Sequence, residues 1–223
     1  MTFGPPTITT APDEGSVANA LRAGRGRLSL TRTETPGLDA EVLLRHVLGI
    51  DRTALFVRLQ EPMSPDALAS YTQLIDARAA DVPVAYLIGM REFMGHAFAV
   101  GPDVLIPRPE TEILVEWAIE WVRGRAGASV LDVGTGSGSI ALSIAAAMSP
   151  GWLGRIVGSD VSSEAIAIAA GNRAQLGLDH RVTLVQGSLV SWLTDRVDLL
   201  IANLPYLRPD QIAGNPQLAA EPR

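Results

Sequence analysis

Apolar positions change their spacing about halfway along the chain. In the first part they recur at helical intervals. Leu43, Val47 and Ile50 run beside Leu44 and Leu48, and Leu68, Tyr71 and Ile75 fall at i, i+3 and i+7. Ser64-Pro65-Asp66 gives one of these stretches its entrance: a capping serine, a proline at the first helical position and an acid at the positive end. This pattern predicts a small helical domain over residues 15–81. Residues 1–14, with four prolines and glycines and little apolar pattern, are expected to be disordered. Residues 82–107, rich in glycine and β-formers, predict a linking segment of short strands with a β-hairpin around Gly101-Pro102. Arg108-Pro109-Glu110-Thr111-Glu112 then enters a helix that carries Leu114, Trp117 and Trp121 as packing residues. Beyond Ala128 short apolar runs replace the helical stripe: SVLDV, RIVGSD, RVTLVQ and VDLLIAN. Helical stretches from about Ser139 to Met148 and from about Ser163 to Leu176 separate the first three, and a short helical turn precedes the last. Strands that alternate with helices predict an α/β domain over 108–223, a parallel sheet wound on both faces.

Composition narrows the classes. The length, 223 residues, fits one large or two small domains, and a hydrophobic content of 47% allows a sizeable core. No apolar run approaches the ~20 residues a membrane helix needs, and the N-terminus lacks the order of a signal peptide. The absence of cysteine excludes disulfides, thiolate metal sites and a cysteine nucleophile. His46, His96 and His180 are scattered, so no metal site is expected. These features predict a cytoplasmic protein with no membrane partner. The net charge is −6, all 18 basic residues are arginine, and none form a dense run. Strong, sequence-blind nucleic-acid binding is therefore not expected.

Candidate chemistry concentrates in the second half. Gly134-Thr135-Gly136-Ser137-Gly138 follows SVLDV and precedes a helix. Glycines permit positive φ and close ligand approach, and the helix start offers free N–H groups. The run is G-x-G-x-G, with Ser139 where a dinucleotide site places its third glycine. Asp160 ends the following strand, where an acid accepts hydrogen bonds from ribose hydroxyls. A tight turn that packs a helix on a strand accounts for the loop equally well. Together, the loop and the acid resemble the class I S-adenosylmethionine (SAM) methyltransferases, which implies that the loop wraps the amino-acid part of SAM and Asp160 its ribose.

Asn203-Leu204-Pro205-Tyr206 ends the fourth strand, on the edge where parallel sheets bind ligands. An amide or aromatic amine is a poor nucleophile because its lone pair is delocalised. Two acceptors on its N–H bonds localise that pair, and the Asn203 side-chain oxygen and the Leu204 carbonyl are candidates. Pro205 stiffens the loop, and Tyr206 offers a face to a planar group. The tetrapeptide resembles the (N/D)-P-P-Y signature of methyltransferases that act on planar nitrogens, and also that of the rRNA adenine dimethyltransferases. Alone it does not separate glutamine from adenine.

Pro83-Val84-Ala85-Tyr86-Leu87-Ile88-Gly89, Glu92-Phe93 and Leu105-Ile106-Pro107-Arg108-Pro109-Glu110-Thr111-Glu112 add to this set. With it they resemble the HemK/PrmC family, N5-glutamine methyltransferases of class I peptide-chain release factors. The resemblance implies SAM as cofactor, held by Gly134, Thr135, Gly136, Ser137, Gly138, Asp160, Ser188, Leu189 and Asn203. It implies that Asn203, Leu204, Pro205 and Tyr206 hold the glutamine of a Gly-Gly-Gln motif, and that the helical domain grips the release factor. Three departures stand out. Leu204 replaces the first proline of the signature. Ser188 stands where the family usually has an aspartate that could contact adenine. The chain ends at Arg223, so the sheet is expected to be C-terminally truncated, with a hydrophobic edge left bare. The alternatives are a nucleic-acid adenine-N6 methyltransferase and an inactive SAM-binding remnant.

Overall fold

The computed structural model describes residues 15–204. Residues 1–14, Pro205 and Tyr206 lie outside the described residues. The chain divides after Ile88 into two compact units.

The first unit holds five helices: α1 (Val17–Ser29), α2 (Pro36–Leu48), α3 (Arg52–Val57), α4 (Pro65–Ala79) and α5 (Val84–Ile88). Ser64 caps α4 as its sequence indicates, its side chain accepting the Ala67 N–H, with Pro65 at the first position. Leu43, Leu44, Leu55, Tyr71 and Ile75 meet in one buried core with Val17 and Leu28. Tyr71 donates to the Ala40 carbonyl inside it, at 3.2 Å. A second polar link, Arg78 Nε to Asp39 Oδ2 at 2.7 Å, is buried on both sides.

The second unit opens with a hairpin, β1 (Met90–Phe93) against β2 (His96–Ala99). It continues with α6 (Pro109–Arg123), β3 (Ser129–Val133), α7 (Ser139–Ala147), β4 (Arg155–Asp160), α8 (Ser163–Gln175), β5 (Val182–Gln186) and β6 (Leu199–Ala202). The four later strands form one parallel sheet in the order β5-β4-β3-β6. Its central strands β3 and β4 read as apolar runs because both their faces are covered. Val130, Ile156 and Ile201 join the core beneath α6 and α7, while Leu131, Val133 and Val157 pack on the other face against Trp192, Leu193 and Val197. Among the described residues no helix is long and apolar enough to cross a membrane.

Three expectations are corrected. Residues 82–107 are not one linking segment. Val84, Leu87 and Ile88 sit at helical spacing and pack as α5 on the first core, whereas Phe93 and Phe98 form an edge-to-face pair in the second. The hairpin turns at Met94-Gly95, both left-handed (φ 51° and 75°) as a two-residue hairpin turn requires. Gly101-Pro102 forms only a turn closed by the Val104 N–H on the Gly101 carbonyl. The buried stripe of α6 is Val115, Ala118, Ile119 and Val122, while Trp117 is 68% exposed. Small and branched residues let α6 approach α7, and the large ring is left outside. Trp121 packs partly against the core, under the Arg125 guanidinium at 4.1 Å.

Candidate functional site

The sheet order creates the site. From β3 the chain winds outward through β4 to β5, then returns to place β6 on the other side of β3. The strand order reverses between β3 and β6, and such a switch point opens a crevice beyond the carboxyl ends of the strands. A crevice of about 290 Å³ lies there. Gly134, Thr135, Gly136, Ser137, Asp160, Ser188, Leu189, Asn203 and Leu204 all line it, together with Thr111 and the 103–105 segment.

The glycine loop has the conformation its composition permits. Gly134, Gly136 and Gly138 all have positive φ, at 71°, 53° and 81°. A side chain at Gly134 would meet Leu204 Cδ2 at 2.6 Å, so the loop and the end of β6 touch. Nothing lies within 4 Å of the Cβ position at Gly136, and this is open space that a ligand can enter. Gly138 does not line the crevice. It caps α7, pressed against Leu142 and Ala169. The loop is tied to β4 by the Gly134 and Thr135 N–H groups, both donating to the Ser159 carbonyl at 2.8 Å.

Asp160 is anchored as well as placed. The Gly136 N–H donates to Oδ2 at 2.9 Å and the Ser162 N–H to Oδ1 at 3.1 Å. Each carboxylate oxygen keeps a second lone-pair site, enough to accept from vicinal hydroxyls. The open glycine cradle beside a fixed carboxylate fits an amino-acid and nucleoside ligand such as SAM. Gly187 donates its N–H to the Asp160 carbonyl, and the Trp192 ring fills the space a side chain at 187 would need. The Ser188-Leu189 turn that follows is thereby held at the crevice rim.

The register Val133↔Ala202 puts Asn203 level with Gly134, one residue beyond the pairing. Its Nδ2 donates to the Thr111 hydroxyl at 3.2 Å. Pro205 and Tyr206 continue the tetrapeptide outside the described residues.

Two residues escaped the sequence reading. Thr111 lay within a segment read as a helix start and as part of the family resemblance, but the threonine itself was given no role. Asp132, within SVLDV, is fully buried. It accepts from the Thr135 hydroxyl at 2.6 Å and the Ala141 N–H at 3.3 Å through one oxygen, and the other has no partner. Burial pushes its carboxyl up to about 6, partly offset by those two bonds and reinforced by the nearby Asp160 charge. An acid inside an apolar parallel strand was the available signal. Among the described residues no group of three or more His, Asp or Glu side chains is arranged to hold a metal ion.

Comparisons with known proteins agree along the length of the chain. Residues 19–89 match the PrmC N-terminal domain family and residues 125–220 a methyltransferase domain family. A release factor glutamine methyltransferase of Bordetella pertussis is 44% identical over 191 residues, covering 84% of this chain and 69% of that protein. One from Moorella thermoacetica is 40% identical over 210 residues, covering 93% and 73%. Among solved structures, a SAM-dependent methyltransferase from Thiobacillus denitrificans in complex with S-adenosyl-L-homocysteine overlaps 43% of this chain and 36% of its own, at 26% identity and a TM-score of 0.35.

Proposed function

The chain belongs to the release factor glutamine methyltransferase family, and from that premise we propose that it methylates the side-chain amide nitrogen of the Gly-Gly-Gln glutamine in class I release factors, with SAM as donor. The observation that carries this reading is the convergence of the glycine loop, Asp160 and Asn203 on one crevice. The roles of individual residues follow from it.

Bound in the crevice, SAM would supply an electrophilic methyl group on a sulfonium, whose C–S bond breaks as the N–C bond forms and leaves a neutral thioether. The loop from Gly134 to Ser137 receives its amino-acid part, Asp160 accepts from its ribose hydroxyls, and Ser188-Leu189 borders the base. Asn203 accepts one N–H of the glutamine amide through Oδ1, and the Leu204 carbonyl accepts the other. Holding both N–H bonds turns the nitrogen lone pair toward the methyl group and favours the pyramidal nitrogen of the transition state. The family resemblance assigns Pro205 to restricting the loop and Tyr206 to the planar amide. The amide nitrogen supplies the bonding pair and gives up one proton to water after transfer, so the chain needs no strong base. Leu204 leaves the carbonyl available, although its backbone is freer than that of proline. The helical unit is assigned to gripping the release factor, in the cytoplasm where termination occurs.

The test is to incubate the chain with SAM and an unmethylated release factor and to analyse the Gly-Gly-Gln peptide by mass spectrometry. One added methyl on glutamine is expected. Asn203→Ala is expected to lower the rate by ~10²–10³-fold while SAM binding persists. Methyl transfer to bare nucleic acid alone, or none from folded protein, refutes the assignment.

A further inference from the structure

We propose that Thr111 is a positioning residue that holds the Asn203 amide with its oxygen presented to the substrate nitrogen. The inference rests on the glutamine-methylation reading above. An asparagine side chain offers an acceptor at one end and two donors at the other, and the ends are nearly equal in size. Turned the wrong way, Asn203 would set N–H against the substrate N–H and lose its role. Strand pairing fixes the backbone beside Gly134 through Val133↔Ala202, but it does not fix the side-chain amide. The bond from Asn203 Nδ2 to Thr111 Oγ1, 3.2 Å long, does so. It occupies the nitrogen end, and the oxygen end remains to accept.

Thr111 is itself held firmly. It is the third residue of α6, whose first turn starts at Pro109, and its own N–H donates to the Arg108 carbonyl at 3.0 Å. The next residue, Glu112, accepts the Met94 N–H at 2.9 Å, which ties the helix start to the hairpin turn. Thr111 and Asn203 both line the crevice, although 92 residues separate them in sequence. The segment from Arg108 to Glu112 thus does more than begin a helix. Its threonine reaches the transfer site and its glutamate fixes the turn that holds α6 in place. A threonine hydroxyl can also donate, so it does not dictate the amide's direction alone. It holds the amide plane, and a substrate N–H arriving at Oδ1 is compatible with only one orientation.

The test compares Thr111→Val with Thr111→Ser in steady-state transfer to a release factor. Loss of one net hydrogen bond should lower kcat about 3- to 10-fold in Thr111→Val. KM for SAM and the melting temperature should stay at wild-type values, and Thr111→Ser should restore kcat. A second readout is independent of turnover. The chain has four asparagines, so selective ¹⁵N-asparagine labelling leaves four side-chain amides, and the one missing from Asn203→Ala is that of Asn203. Its proton exchange should be slow in wild type and Thr111→Ser and fast in Thr111→Val. Wild-type kcat or slow Asn203 exchange in Thr111→Val overturns the positioning role alone. A parallel fall in kcat, SAM affinity and melting temperature would make Thr111 merely structural. A wild-type chain that methylates no release factor overturns the functional reading and the positioning role with it.

Discussion

Asp132→Asn tests whether the fold carries a buried acid that opposes its own ionisation. The Asp132 carboxyl rises from 3.8 to about 6, chiefly because burial removes water from the charged form. A shift of that size corresponds to about 3 kcal/mol between the two protonation states. The sign follows from proton binding. Between the unfolded value of 3.8 and the folded value near 6, the native state holds more protons than the unfolded chain, so stability falls as pH rises. Below 3.8 the penalty is absent, and above about 6 it is complete. Asparagine keeps an oxygen for the Thr135 hydroxyl and the Ala141 N–H, and it removes the ionisation. At any single pH the variant also carries the cost of an amide nitrogen where Oδ1 has no partner. The change with pH is free of that offset. The stability difference in favour of the variant should grow by about 1.4 kcal/mol between pH 5 and pH 8. Urea unfolding followed by tryptophan fluorescence measures it, because Trp117, Trp121, Trp152 and Trp192 all belong to the second unit. A difference that stays constant with pH, or shrinks as pH rises, refutes the raised carboxyl.

Two further substitutions probe other parts of the molecule. Gly138→Ala places a Cβ at 2.8 Å from Leu142 Cδ1 on a residue with φ of 81°. It should cost about 1–2 kcal/mol for the left-handed backbone alone and weaken SAM binding measured by calorimetry; unchanged affinity would show that the loop tolerates a shift of α7. Arg78→Met leaves Asp39 buried with only the Thr35 hydroxyl as partner, at 2.8 Å. Urea unfolding followed by helical circular dichroism should then give a stability lower by about 3–5 kcal/mol, and a loss below about 1 kcal/mol would mean that water reaches the carboxylate.

The chain's own order of residues indicated most of the elements and nine of the residues that line the crevice. Helical spacing marked the first unit, apolar runs marked the parallel strands, and the glycine run had to turn because three of its residues adopt positive φ. These are local signals, carried by side-chain period and backbone freedom, and a single chain displays them in order. The stripe of α6 and the hairpin turn were misread because both depend on a partner surface. Val115 and Ala118 face inward because α7 needs close approach, and Met94 takes a left-handed turn because Phe93 and Phe98 must both reach one core. The sheet order β5-β4-β3-β6 was equally a tertiary outcome, since only strand pairing sets Asn203 beside Gly134. The bond between Thr111 and Asn203 spans 92 residues. No period or spacing encodes it, because it arises only when the start of α6 and the end of β6 are packed against the same crevice.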